Sequence, residues 1–121
     1  MIFKDKDAVK ATIDKAKGGV GQIFSNTFLN DANRPERTRA GMVAVNTLPP
    51  GASLGFHVHE TNEEIYYFIQ GQGLYTDADR RQYPIAAGDL TLTRQGEGHA
   101  LDNAGAEPLV FAAVIIDEGR P

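Results

Sequence analysis

The sequence predicts an all-β fold, an antiparallel sandwich or barrel with a short helical preface, and three observations carry that expectation. Beyond Gly21 the chain breaks into short runs rich in Val, Ile, Thr, Tyr and Phe, near 21–28, 40–48, 53–59, 63–70, 72–76, 81–85, 89–93, 98–103 and 108–116. Turn-forming residues divide them, among them Pro49-Pro50-Gly51, Gly71-Gln72-Gly73, Ala87-Gly88-Asp89 and Gly96-Glu97-Gly98. Neither an internal repeat nor a low-complexity linker interrupts the 121 residues, which suit one domain over 1–121.

Taken in order, the segment 1–19 reads as a helix and 20–121 as the β-structure. Asp5 or Asp7 can cap the helix, Val9 and Ile13 fall on one helical stripe, and Gly18-Gly19 supply a stop. Lys4, Lys6, Lys10, Lys15 and Lys17 read as its solvated face. The run 21–28 is expected at a sheet edge that needs cover, and pairing with a second subunit is one solution, so a homodimer is expected. The connection 29–39 holds Arg34, Arg37 and Arg39. It reads as a solvated crossover, with a lid over an anionic ligand as the alternative.

Composition narrows the function classes. A formal charge of -4 argues against nucleic acid and anionic membranes as bulk partners. No cysteine is present, which excludes disulfides, thiolate metal sites and cysteine nucleophiles. No run approaches the roughly 20 apolar residues of a membrane span. Charges alternate over Lys4-Asp5-Lys6-Asp7, where a secretory signal needs an apolar run, so a cytoplasmic protein is expected.

The chemistry concentrates in the histidines. His57 and His59 stand two apart in one strand and so face the same way. The turn at Glu60-Thr61-Asn62 folds the chain back and can set Glu64 beside them, and His99 follows a glycine-flanked turn. One site then uses all 3 histidines of the chain. Imidazoles and a carboxylate converging on one point suit a divalent metal ion.

The spacings Gly51-x5-His57-x-His59-x4-Glu64-x6-Gly71 and Gly88-x5-Arg94-x-Gly96-x2-His99-x3-Asn103 resemble the two motifs of the cupin superfamily. The wording is similar to that of small one-domain bacterial cupins. The resemblance implies a double-stranded β-helix, or jelly-roll barrel, often dimeric, and metal ligands at His57, His59, Glu64 and His99. Glu63 is a rival to Glu64, but it lies on the opposite strand face and lacks the spacing to Gly71. Arg94 stands where the family usually has proline. It loses the stiffness of a fixed φ, while Gly96 and Gly98 still permit the turn.

Three neutral imidazoles and one carboxylate around M²⁺ leave a net charge of about +1, suited to Mn, Fe, Ni, Co or Zn. With two adjacent positions left over, such an ion favours a small metabolite that chelates through two oxygens. Strand parity places Tyr66, Phe68 and Gln70 on the face of Glu64, and Leu101 and Asn103 on the face of His99. Tyr66 is the candidate for orienting a substrate or donating a proton, the alternative being a core aromatic. Phe68 and Arg94 are further substrate-contact candidates, and Glu97 is a candidate acid–base group.

Three function classes fit this reading. The first is a metal-dependent dioxygenase, decarboxylase or isomerase/cyclase. The second is a non-catalytic module that binds or senses a small molecule or metal. The third is a sugar-phosphate isomerase, which would need a basic pocket wall.

Overall fold

The computed structural model describes residues 1–118 and is built almost wholly of strands. They are β1 (Val9–Asp14), β2 (Gln22–Leu29), β3 (Ala40–Leu48), β4 (Ser53–Val58), β5 (Asn62–Gln70), β6 (Gln72–Thr76), β7 (Gln82–Ala86), β8 (Leu90–Thr93), β9 (Gly98–Asp102) and β10 (Leu109–Asp117). All pairings are antiparallel, in two open sheets of order β1-β2-β3-β10-β5-β8 and β4-β9-β6-β7. This is the jelly-roll arrangement, without closure into one continuous barrel.

The main departure lies at the N-terminus. In place of a helix, the chain makes a 3-10 turn at Asp5–Asp7, the strand β1, and a second 3-10 turn at Ala16–Gly18. A spacing of four fits the strand period of two as well as the helical i, i+4 stripe, so Val9 and Ile13 satisfy both patterns. β1 pairs along β2 from Val9↔Thr27 to Asp14↔Gln22. The edge expected at 21–28 is therefore covered by the chain itself, and β1 becomes the outer strand.

Between the sheets lies a core of Leu48, Phe68, Leu101, Leu109 and Phe111, all fully buried. Asn103 joins it as a brace: its amide donates to Leu48 O and Glu107 O, and its Oδ1 accepts from Gly105 N. In the 29–39 loop, Arg34 is buried against Asp117, with Asp31 at 3.2 Å and Thr38 O at 3.1 Å. That arginine anchors the crossover to the end of β10 and is engaged within the protein.

Candidate metal centre

A slip in strand register aims the site. Leu54 pairs with Leu101 but His57 pairs with His99, so β4 carries one residue more than β9 between these pairs. The bulge lets Leu54 and His57, an odd number of residues apart, line the same cavity. Phe56 is turned away, its ring against Gly98 and beneath the Arg80 guanidinium at 4.0 Å. His59 lies just past the end of β4, yet its N–H donates to Glu97 O (2.9 Å) and its carbonyl accepts from Gly96 N (2.7 Å). Those bonds keep its backbone tied to the opposite turn.

Glu64, on β5 between Thr93 and Ile115, is buried; Glu63 is only half-buried. The ligand atoms of His57, His59, Glu64 and His99 all lie within 4.8 Å of one another. His99 Nε2 is 3.1 Å from the Nε2 of both His57 and His59 and 3.0 Å from Glu64 Oε1; His59 Nε2 is also 3.0 Å from Glu64 Oε1. Adjacent donors of an octahedral ion with bonds of ~2.1 Å stand about 3.0 Å apart. These four residues therefore fit a single metal ion.

The outer nitrogens fix the tautomers of His57 and His59. His57 Nδ1 donates to Gly55 O (2.8 Å) and His59 Nδ1 to Asn62 Oδ1 (2.7 Å). His99 Nδ1 is 2.8 Å from Thr93 Oγ1 and 2.9 Å from Tyr75 OH, which are themselves bonded at 2.8 Å. With protons on Nδ1, the Nε2 atoms of His57 and His59 turn lone pairs inward beside Glu64 Oε1, and lone pairs this close need a cation or a proton among them. Titration follows from the same crowding. Burial holds His57 down at about 4. The hydrogen bond with Glu64 raises His59, against its burial and the charge of Lys17. Burial opposes ionisation of Glu64, but its bonds with His59 and His99 prevail and hold it at about 2.

Above the donors opens a cavity of about 410 Å³. Tyr66 lines it, with its ring stacked on His99 at 4.7 Å and its OH 3.4 Å from His99 Nε2. Burial raises the phenol well above 10, so it stays a proton-bearing donor. Phe68 lies outside the lining, fully buried in the core edge-on to Tyr66. Arg94 and Glu97 also stay outside it. They pair with each other through Nη2 and Oε2 at 2.9 Å, and Arg94 holds the Glu97 carboxyl below its ordinary range. Gln70 is exposed, beyond an irregularity in register between Val110 and Phe111.

Sequence reasoning missed the upper wall. Ile13 and Lys17, assigned to a helix, line the cavity from β1 and the second 3-10 turn, together with Ser25 of β2 and Asn46 of β3. It also missed Thr93, Tyr75 and Asn62, whose polar groups carry no periodic signal that marks them as partners of histidine.

Comparison with known proteins agrees with this arrangement. Residues 44–116 match the family model described as the cupin domain. An oxalate-binding protein of Thermotoga maritima is 35% identical over 116 residues, 96% of this chain and 93% of that protein. A crystal structure from Thermotoga maritima, described as a predicted oxalate decarboxylase, is similar with a TM-score of 0.87 at 35% identity, covering 98% of this chain and 100% of that one. The oxalate decarboxylase of Bacillus subtilis is 34% identical over 75% of this chain, which spans 25% of that enzyme.

Proposed function

The chain belongs to the cupin family, and we propose that it uses a divalent metal ion, held by His57, His59, Glu64 and His99, to bind a small dicarbonyl anion such as oxalate. One observation carries this reading: the Nε2 atoms of His57, His59 and His99 and a carboxylate oxygen of Glu64 converge on one point, and His57, His59 and Glu64 line the cavity beside it. A divalent ion there supplies Lewis-acid attraction for two oxygens of a chelating anion. The protein orients the imidazoles through Gly55, Asn62 and Thr93, and Tyr66 offers a protonated hydroxyl to the bound oxygen. The relative described as an oxalate-binding protein supports the choice of ligand.

Binding is favoured over turnover because Glu64, itself a donor to the ion, is the sole carboxylate lining the cavity among the described residues. A decarboxylase needs a proton donor of suitable pKa, and Glu97 is ionised and committed to Arg94. A catalytic reading, as dioxygenase, decarboxylase or isomerase/cyclase, keeps support from the likeness to the Bacillus subtilis oxalate decarboxylase. The sugar-phosphate reading loses its basic wall, since none of Arg34, Arg37, Arg39 and Arg94 lines the cavity, and Arg34 and Arg94 are engaged with Asp117 and Glu97. A homodimer remains part of the proposal, with β1 as the outer strand that needs cover; light scattering giving a monomer mass would remove it.

Calorimetry with manganese-loaded and chelator-stripped protein tests the proposal. Oxalate binding to the loaded form alone supports it, and equal binding to the stripped form contradicts it.

A further inference from the structure

We propose that Lys17 determines the charge specificity of this cavity, its ammonium receiving the second negative charge of a dianionic ligand. The inference rests on the metal-dependent reading above and adds a residue outside the two sequence motifs.

Position comes first. The second 3-10 turn lies at the cavity wall, and Lys17 lines the same space as His57, His59 and Glu64. No other lysine or arginine lines it among the described residues. A ligand held at the floor by two of its oxygens extends its remaining charge towards the mouth, where Lys17 stands.

The turn is also built into the sheet. A Cβ on Gly55 would lie 2.1 Å from Lys17 O, and one on Gly19 would lie 2.1 Å from Ser53 O. Glycine at both positions lets the backbone around Lys17 rest directly on β4, just upstream of His57. Val20 N donates to Ser53 Oγ (2.9 Å) and Ser53 N to Val20 O (2.8 Å), fastening the segment on its far side. Lys17 itself is held at φ 56, in the left-handed region that non-glycine residues seldom occupy.

Charge supplies the selectivity. Three neutral imidazoles, Glu64 and a divalent ion sum to +1, so a monoanion leaves the centre neutral and a dianion leaves it at −1. An ammonium at the mouth neutralises that remainder for the dianion only.

Oxalate and its near-isosteric monoanion oxamate separate the charge effect from shape. Calorimetry on manganese-loaded wild type, Lys17→Met and Lys17→Arg, with bound manganese measured in each, is the test. The expected result is that Lys17→Met weakens oxalate about five- to tenfold and oxamate less than about twofold. Lys17→Arg restores most of the difference, high salt shrinks it, and manganese content is unchanged. Equal weakening of both ligands would make Lys17 a packing residue, and no change would make it a solvated one; either overturns the inference alone. If wild type binds neither anion, the proposed function fails and this inference falls with it.

Discussion

Beneath the floor of the cavity, His99 is 1% exposed, Tyr66 stacks on its ring, and Thr93 and Tyr75 hold its outer nitrogen. At the mouth, every residue of β1 is exposed, and Lys17 reaches the cavity from a turn only three residues long. The floor is organised by buried packing and hydrogen bonds before any ligand arrives, which suits the narrow geometry of metal binding. The mouth rests on a backbone contact between two glycine-bearing segments and carries an exposed charge, which suits discrimination among ligands. Metal affinity and ligand choice should therefore separate by mutation.

The largest effect is expected at the floor. Glu64→Gln keeps the shape but removes the only anionic donor, and metal affinity should fall by at least about 100-fold in a competitive titration. Next comes pH. His57 and Glu64, held at about 4 and about 2, are already deprotonated at neutrality, whereas His59 is raised above 6.5 and must release a proton to the metal. As pH falls below the raised value, affinity should drop by about tenfold per unit, and more steeply once His57 also takes a proton near 4. Affinity that is flat between pH 7 and 5 would contradict the assignment of His59 as a ligand. Thr93→Val removes one partner of His99 Nδ1 and leaves Tyr75, so a loss of about tenfold in metal affinity is expected.

Gly55→Ala should reverse the pattern. The added methyl meets Lys17 O at 2.1 Å and lifts the turn from β4. Oxalate affinity should fall about threefold or more while metal affinity stays within about twofold of wild type. Hydrogen exchange of the 15–20 amides should rise in that variant. A loss of metal affinity equal to the loss of oxalate affinity would show that floor and mouth are one unit.

The same division governs how much the sequence reveals. Alternating strands and turn residues placed every strand from β2 to β10 within a residue or so, because period-two burial writes itself into the text. His57 and His59 were legible from strand parity, and Glu64 and His99 from motif spacings that resemble those of the cupins. β1 was not, since all its residues are exposed and no burial alternation marks it. Lys17 was hidden with it: a lysine among lysines gains meaning only from the backbone it sits on. Arg94 and Glu97, three apart across a turn, satisfied each other instead of the cavity, a local pairing that site-centred reading overlooks.

The metal centre itself is tested most directly by a crystal structure of manganese-loaded, untagged protein with anomalous data. The expected result is one manganese peak per chain, bonded to the Nε2 atoms of His57, His59 and His99 and to a carboxylate oxygen of Glu64. A peak at any other position, or full loading with one of these four side chains turned away, would contradict it.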